Sequence, residues 1–212
     1  MVIAIDGPAG AGKSTVARGT AKALGFTYLD SGAMYRCVAL AALRDGVEID
    51  DCEALGELAW RISIELSGEA VRLDGEDVSG RIRAPEVTAA ASRVSAHPQV
   101  REAMVSRQRA LISAGNYVAE GRDIGTVVSP DSPLKVFLTA SEHERARRRA
   151  DESGEPVDSV LEAMLARDER DTDRDHGALR VASDAVELDT TGQAVDDVVA
   201  EVVRMARERG LA

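Results

Sequence analysis

The sequence predicts an α/β fold in which helices cover both faces of a parallel sheet. Five short apolar runs have the continuous hydrophobicity of strands that are buried on both faces: residues 2–5, 27–29, 117–119, 136–138 and 186–188. Segments with helical spacing of apolar residues separate these runs, and an alternation of strand and helix predicts a parallel sheet. The length of 212 residues suits one domain, with room for a small insertion.

The remaining elements follow along the chain. A Gly-rich segment ends the first strand, and Val16, Ala17, Ala21 and Leu24 then fall at helical spacing. Residues 62–66 and 71–73 alternate in polarity around turn-forming residues, which predicts a small antiparallel hairpin or meander inserted between helical regions. The later helices are expected to begin at Pro85, at about residue 99, after a capping box at residues 141–144, at residue 157 and near residue 195.

Composition narrows the possible partners. A net charge of −11 argues against general nucleic-acid binding, because that binding neutralises phosphates with Lys and Arg. The two cysteines, Cys37 and Cys52, have no metal-binding or redox-motif spacing, which indicates a reducing compartment. No secretory leader is visible and no apolar run approaches the length of a membrane span. We therefore expect a cytoplasmic protein without a membrane partner, and nothing in the sequence demands more than a monomer.

The Gly-rich segment carries the most specific motif. Gly7-Pro8-Ala9-Gly10-Ala11-Gly12-Lys13-Ser14 matches the phosphate-binding loop pattern G-x-x-x-x-G-K-[ST] at every fixed position, between a predicted strand and a predicted helix. Its glycines allow backbone N–H groups to converge on phosphate oxygens at the positive end of the helix. Lys13 can reach the β and γ phosphates, and the Ser14 hydroxyl can ligate Mg²⁺. The chain has only three lysines, so the presence of one in this loop indicates a specific role.

Other classes of phosphate-binding protein are less well supported. A GTP-binding switch needs an N-K-x-D segment, and no lysine of this chain follows an asparagine. Residues 77–80 spell the D-x-x-G switch element, but they follow a polar turn and are expected in a surface loop. A mechanical ATPase would need a further functional domain, which a chain of this length lacks. A kinase for a small molecule remains, with a non-catalytic nucleotide-binding protein as the alternative.

Two motifs at strand ends suggest the phosphate acceptor's site. Residues 30–36 (DSGAMYR) follow the second strand, where Ser31 and Arg36 could hold an anionic group. Residues 120–125 (EGRDIG) follow the third predicted strand, where Arg122 and Asp123 stand beside two glycines. Ligands of open α/β sheets bind beyond the carboxyl ends of strands, so both motifs are expected at one edge.

Two Arg-rich segments, at residues 145–149 and 167–174, are the natural source of further positive charge. Phosphoryl transfer needs such charge to clamp donor phosphates and to stabilise the transition state. In the second segment Arg167 and Asp171 stand four residues apart, which also fits an exposed helix face with ion pairs.

Taken together, these motifs resemble bacterial cytidylate kinases along essentially the whole chain. The loop at residues 7–14 is common to many phosphate-binding enzymes; residues 30–36, 75–79, 121–128 and the Arg-Asp run ending at Arg174 are more specific. The resemblance implies a P-loop kinase fold with a five-stranded parallel sheet and a small antiparallel sheet in the monophosphate-binding region. It also implies transfer of the γ-phosphate of ATP to CMP or dCMP, with Mg²⁺ as cofactor.

The resemblance further implies roles for individual residues. The catalytic side chains would be Lys13, Arg122, Arg167 and Arg174. ATP would be bound by Gly7, Pro8, Ala9, Gly10, Ala11, Gly12, Lys13, Ser14 and Thr15, with Arg145 and Arg149 from a short lid. CMP would be bound by Ser31, Tyr35, Arg36, Ser92, Arg101, Arg122, Asp123, Arg167, Asp171 and Arg174. Within this set Ser92, Arg101 and Asp123 would surround the cytosine, and the carboxylate of Asp123 can accept a hydrogen bond from its amino group.

The resemblance also divides the single expected domain. The core would comprise about residues 1–36, 99–141 and 165–212, the monophosphate-binding insertion about residues 37–98, and the lid about residues 145–164. Glu120 stands where some relatives carry Asp, which leaves the preference between CMP and dCMP open. Another small acceptor remains the alternative within kinases.

Overall fold

The computed structural model describes residues 1–68 and 70–211. Glu69, in the predicted insertion, and Ala212, at the end of the predicted core, lie outside the described residues. The strands are β1 (Val2–Asp6), β2 (Thr27–Asp30), β3 (Ile64–Ser67), β4 (Ala70–Leu73), β5 (Glu76–Asp77), β6 (Tyr117–Gly121), β7 (Leu134–Thr139) and β8 (Val186–Asp189). The α-helices are α1 (Lys13–Leu24), α2 (Ser31–Asp45), α3 (Cys52–Arg61), α4 (Pro85–Val94), α5 (Pro98–Ile112), α6 (Glu142–Ser153), α7 (Val157–Asp173) and α8 (Val195–Glu208).

The main sheet confirms the predicted fold class. It has five strands in the order β2-β6-β1-β7-β8, and β1 pairs in parallel with β6 and β7. The register places Asp6 opposite Gly121, so the loops that follow β1 and β6 leave the sheet at the same edge. Glu120 and Gly121 were expected to follow the strand, and this was wrong, because both still belong to β6. The parallel register with β1 extends the ladder to the last residue of each strand.

The core forms where α1 and α8 pack against this sheet. Ile3 and Ile5 of β1 are fully buried together with a set of aliphatic residues: Val16, Ala17, Ala21, Val118, Leu134, Val136, Leu138, Val198, Val202 and Ala206. All five residues of β1 are buried, as the uninterrupted apolar run predicted for a strand covered on both faces. This central strand is therefore a rigid support for the loop that follows it.

The chain forms two compact units by its internal contacts. The first, which we call the sheet unit, comprises Met1–Tyr28 and Ile112–Ala212, and the second, the helical unit, comprises Leu29–Leu111. The helical unit contains α2 to α5 and a separate antiparallel sheet in the order β3-β4-β5. The predicted hairpin is therefore a three-stranded meander, since the turn at Asp74 and Gly75 leads into the short strand β5.

Within the sheet unit, α6 and α7 form a helical hairpin with a small core of their own. Ala146, Ala150, Val160 and Met164 are buried against each other. Ser141 is the N-cap of α6, and its hydroxyl accepts from the backbone N–H of Glu144 at 3.4 Å. The second half of the predicted capping box is not formed, because the Ser141 N–H donates to the Thr191 hydroxyl at 2.9 Å. Among the described residues, no helix is both long and apolar enough to cross a membrane.

Candidate active site

The loop between β1 and α1 depends on three glycines. Gly7, Gly10 and Gly12 have φ values of 149°, 74° and 86°, which L side chains rarely adopt. A Cβ atom on Gly7 would lie 2.2 Å from the carbonyl oxygen of Leu138, and one on Gly10 would lie 2.8 Å from that of Arg145. The first N–H groups of α1 have no partner within the helix, so the loop ends in a site that favours anions.

Lys13 lies at the first position of α1 and is almost fully buried. Its ammonium donates to the carbonyl oxygen of Pro8 at 2.8 Å. Burial and the nearby Arg122 guanidinium together lower the pKa of Lys13 to about 7, although Glu120 opposes the shift. The charged form of this buried amine is thus disfavoured, and the negative charge of a polyphosphate would stabilise it.

A cluster of three arginines surrounds Asp171. The carboxylate of Asp171 lies 2.7 Å from Nε of Arg122, 3.4 Å from a terminal nitrogen of Arg174 and 3.9 Å from Nε of Arg167. Burial by itself would raise the pKa of Asp171, but the three guanidinium groups outweigh it and keep the pKa below its ordinary value. One negative charge therefore holds three positive charges on α7 and on the turn after β6.

Arg122 also joins this cluster to the Gly-rich loop. Its terminal nitrogen donates to the carbonyl oxygen of Gly7 at 2.7 Å. Gly7 is the first residue of the loop, and Arg122 immediately follows β6. The structure therefore brings together Lys13, Arg122, Arg167, Asp171 and Arg174, all of which the sequence had singled out.

The turn that follows Arg122 is a π turn at Ile124–Val128. Asp123, just before it, is buried. The carboxylate of Asp6 accepts from the backbone N–H groups of Ile124 and Gly125, at 2.8 and 2.7 Å. Burial raises the pKa of Asp6 to about 6, although these two hydrogen bonds oppose the shift.

The two predicted lid arginines have different surroundings. Arg145 is buried; its guanidinium pairs with Asp168 and donates to the carbonyl oxygen of Ala9 at 2.9 Å. The same carboxylate accepts from the Ala9 N–H at 3.0 Å, so both backbone polar groups of this loop residue are bound by the α6–α7 hairpin. Arg149 is half-exposed and pairs with Glu152 at 3.4 Å.

A cleft of about 470 Å³ opens beside the Gly-rich loop. Its walls are formed by residues 10–16, by charged side chains of α6, by the segment after β8 and by the start of α8. The α6 side chains are Glu144, Arg147, Arg148, Arg149, Asp151 and Glu152, and the others are Thr190, Gln193, Val195 and Val198. Arg148 donates to the carbonyl oxygen of Thr190 at 2.7 Å, which ties α6 to that segment. The cleft has the volume of a nucleotide-sized ligand site.

The residues around the cleft also fit a loosely held metal ion. The described residues contain no group of three or more His, Cys, Asp or Glu side chains that could hold a metal by itself. Ser14 and Thr15 are exposed in the first turn of α1 and line the cleft. Such a hydroxyl could supply one oxygen ligand to a divalent metal ion whose other ligands are waters and nucleotide phosphates.

In the helical unit, the segment at residues 30–36 begins α2. Asp30 is the N-cap: its carboxylate accepts from the Ala33 N–H at 2.8 Å and also receives a hydrogen bond from Arg36 at 2.8 Å. Nε of Arg36 is buried without a hydrogen-bond partner. Ser31, the first helical residue, is buried. An anion near Arg36 would compensate that unpaired donor.

Ser92, Arg101 and Tyr35 also lie in the helical unit and are all buried. The guanidinium of Arg101 lies over the Tyr35 ring, 5.7 Å from its centroid, and donates to the carbonyl oxygen of Ser95 at 3.3 Å. The Ser92 hydroxyl has no hydrogen-bond partner. An unpaired buried hydroxyl is costly, so a ligand atom that bonds to it would remove a real penalty.

Sequence reasoning missed two residues that the tertiary structure places at the site, Asp6 and Asp168, and it named Arg148 only as a member of the Arg-rich segment at residues 145–149. A carboxylate that ends an apolar strand was the available signal for Asp6. Asp168 was hidden in a run of alternating charges that is typical of an exposed helix face, and no local pattern distinguishes it there.

Comparison with known proteins identifies the relatives of this chain. Residues 3–208 match the family described as cytidylate kinase. The chain is 47% identical to a cytidylate kinase of Mycobacterium leprae, over 99% of this chain and 96% of the relative. It is 51% identical to one of Pelotomaculum thermopropionicum, over 95% and 93%. The cytidylate kinase of Caldanaerobacter subterraneus is 49% identical over 97% and 94%.

Solved structures with low sequence identity share the fold. An uncharacterised protein from Eubacterium ventriosum is 13% identical and superposes with a TM-score of 0.57 over 98% of each chain. The Thermus thermophilus protein TT1252 is 19% identical, with a TM-score of 0.50 over 98% of this chain and 96% of the other. At these identities the likeness concerns the fold alone.

Proposed function

The chain belongs to the cytidylate kinase family, and from that premise we infer the activity of this site: it transfers the γ-phosphate of ATP to CMP or dCMP, giving ADP and CDP or dCDP. The observation that carries this function is the hydrogen bond from Arg122 to Gly7, which joins the phosphate-binding loop to the three-arginine cluster around Asp171. Positive charge is thus concentrated where a transferring phosphoryl group needs it.

ATP is the donor in this proposal. Residues 7–15 would bind its phosphates through the backbone N–H groups of the loop, except at Pro8, which has none, and at Ala9, whose N–H donates to Asp168. The Lys13 ammonium adds a charged contact, and Ser14 would ligate a Mg²⁺ ion, which would neutralise phosphate charge when bound. Arg149 is half-exposed, so its contact with Glu152 costs little to exchange for a phosphate. In this conformation the guanidinium of Arg145 is bound to Asp168 and to the Ala9 carbonyl oxygen, so Arg145 stabilises the phosphate-binding loop.

For the phosphate and sugar of the acceptor, the proposed ligands are Ser31, Arg36, Arg122, Arg167, Asp171 and Arg174. The unpaired Nε of Arg36 supports its role as an anion ligand.

For the base, we propose that Asp123 accepts from the cytosine amino group, while Arg101 donates to the ring nitrogen or carbonyl. Ser92 supplies the third contact, which its unpaired hydroxyl supports. Tyr35 stacks on Arg101 and holds its plane. Uracil would leave these groups mispaired, and a site built on hydrogen bonds rejects such an analogue strongly.

The reaction proceeds by direct in-line transfer. No general base is required, because the attacking phosphate of CMP is already an anion. Lys13 and the arginines stabilise the charge that spreads over the transferred group. The α6–α7 hairpin would close over ATP and exclude water, which limits wasteful hydrolysis.

We further propose that the protein acts as a cytoplasmic monomer on nucleotides alone, without nucleic-acid or membrane partners. Cys37 and Cys52 are both free, which supports a reducing compartment. The proposed functional division is a core of about residues 1–36, 99–141 and 165–212, an insertion of about residues 37–98 and a lid of about residues 145–164.

The test is ADP release from Mg-ATP with CMP, dCMP, UMP, AMP, GMP and shikimate supplied separately. We expect activity with CMP and dCMP alone, and their ratio gives the preference that Glu120 leaves open. Equal activity on UMP and CMP would overturn the roles of Ser92, Arg101 and Asp123 while keeping the kinase. Nucleotide binding without activity on any acceptor would favour a non-catalytic role.

A further inference from the structure

Asp6 is a buried carboxylate to which the proposed reaction assigns no role. It is the last residue of β1, directly before the phosphate-binding loop. Each of its oxygens accepts one backbone N–H from the turn after β6: Oδ1 from Ile124 at 2.8 Å and Oδ2 from Gly125 at 2.7 Å. The side chain therefore bridges the root of the donor loop to the turn that carries Asp123.

The neighbouring residue makes a second connection to the same turn. The carbonyl oxygen of Gly7 accepts from Arg122 at 2.7 Å. Residues 6 and 7 thus hold both ends of the segment 122–125. The contact at Gly125 is close, because a Cβ there would lie 3.2 Å from Cδ of Lys135 and 3.3 Å from Oδ2 of Asp6. A glycine at this position lets the turn approach the carboxylate.

Stability alone does not explain this arrangement of the Asp6 carboxylate. A buried carboxylate costs free energy that its hydrogen bonds only partly offset. Asp6 also faces the negative charge of Asp123, and Lys13 is a weaker compensating influence; burial accordingly raises its pKa to about 6. What the carboxylate supplies, and a neutral side chain does not, is two acceptors that fix two consecutive N–H groups at once.

We propose that Asp6 is a positioning residue that fixes the turn bearing Arg122 and Asp123. Through these two residues, the end of β1, which leads into the phosphate-binding loop, also orients the side chains that recognise the nucleoside monophosphate. The proposal rests on the function proposed above. Asp6 acts through these two residues and does not touch the substrate itself.

The experiment compares Asp6→Asn and Asp6→Ala with the unmodified protein in steady-state kinetics. Asn keeps one acceptor oxygen, whereas Ala keeps none. We expect the KM for CMP to rise roughly 10-fold for Asn and up to 100-fold for Ala, as misplacement of about 1 Å allows. The KM for ATP should stay within about twofold of that of the unmodified protein. The preference for CMP over UMP should fall more in Asp6→Ala than in Asp6→Asn, because Asp123 is displaced further.

Two further variants keep the result interpretable. Val202→Ala truncates a buried residue of α8 and lowers stability without touching the turn; its KM values should stay near those of the unmodified protein. Gly125→Ala pushes the turn from Asp6 while leaving the carboxylate in place, and it should reproduce the CMP-specific defect even if both Asp6 variants do not fold.

An unchanged KM and unchanged selectivity in folded Asp6 variants would overturn the proposal, and so would equal rises in the KM for ATP and CMP. If neither Asp6 variant folds, normal CMP kinetics in Gly125→Ala would overturn it. Absence of CMP activity in the unmodified protein would instead overturn the proposed function, so the two failures are distinguishable.

Discussion

Asp171 of α7 and Arg122 of the turn after β6 form a largely buried ion pair, with 2.7 Å between Oδ2 and Nε. The two residues lie 49 positions apart in sequence. Because Arg122 also donates to Gly7, the pair connects α7, the β6 turn and the phosphate-binding loop. The carboxylate thus organises positive charge from separate elements around one point.

Removal of this carboxylate should destabilise the protein and impair catalysis together. In Asp171→Asn, three guanidinium groups lose the charge that holds them, and breaking a buried pair costs about 3 kcal/mol. We expect a lower free energy of unfolding in urea titrations and a fall in kcat/KM for CMP. Glu201→Gln, which breaks an exposed pair with Arg204, is the matched control and should change stability by less than about 1 kcal/mol. Equal effects of the two variants would contradict the central role of Asp171.

Lys13 should be needed for the chemical step and not for folding. In Lys13→Met, loss of the charge that stabilises the transferring phosphoryl group should lower kcat by roughly 100- to 1000-fold. The thermal midpoint should stay the same or rise, because the variant removes a buried amine whose charge is disfavoured. Lys22→Met changes an exposed lysine of the same helix and serves as control. A normal kcat in Lys13→Met would exclude the role proposed for this amine.

The pKa of Lys13 gives the pH dependence of stability a definite sign. The folded-state pKa is about 7, below the ordinary lysine value of 10.5, so between these values the unfolded chain binds more protons. The penalty of burying the charged amine is complete below pH 7 and is relieved as the pH rises. We expect the free energy of unfolding of the unmodified protein to increase from pH 7 to pH 9 relative to Lys13→Met. Parallel curves for the two proteins would contradict this shift.

The same amine should take up a proton when phosphate binds. Burial lowers the pKa of Lys13 in the free protein, and the negative charge of ATP favours the ammonium form. Calorimetric titration with Mg-ATP at pH 8 in two buffers of different ionisation enthalpy should show net proton uptake. Lys13→Met should show much less uptake, and identical uptake in both proteins would assign the proton to another group.

Ser92 should have opposite effects on stability and on substrate binding. Its buried hydroxyl has no hydrogen-bond partner, so Ser92→Ala should leave the free energy of unfolding unchanged or raise it. The KM for CMP should rise by about tenfold, which corresponds to one lost hydrogen bond. Thr20→Val removes another buried, unpartnered hydroxyl, on α1, and should change neither the KM for CMP nor the KM for ATP. A loss of stability in Ser92→Ala without a change in KM would mark the hydroxyl as structural.

Asp168 should act on the donor nucleotide. Asp168→Asn weakens the hold of the α6–α7 hairpin on Ala9 and on Arg145, so the loop is less well ordered for ATP. We expect the KM for ATP to rise about tenfold, as small misplacements of binding groups allow. Glu162→Gln, which changes an exposed carboxylate on the same helix, is the control. A defect confined to CMP would contradict this assignment.

The strands were predictable because their signal is local. The apolar run at the start of the chain predicted β1, and the five strands of the main sheet were all found within a few residues of their bounds. The Gly-rich loop was predictable for the same reason, since its glycines meet a local backbone requirement. The β5 strand was not separated from its hairpin, because two residues are too short for any periodic pattern.

The sequence by itself determined the α/β class, the phosphate-binding loop and a family resemblance that named the arginines of α7. Only the tertiary structure decided which partners those charges have. Arg145 and Arg149 look alike in the sequence, yet one is buried against Asp168 and the other is half-exposed. Asp6 likewise gained its role from a turn more than 100 residues away. Burial and long-range hydrogen bonds depend on how elements pack, and no local window of sequence contains that information.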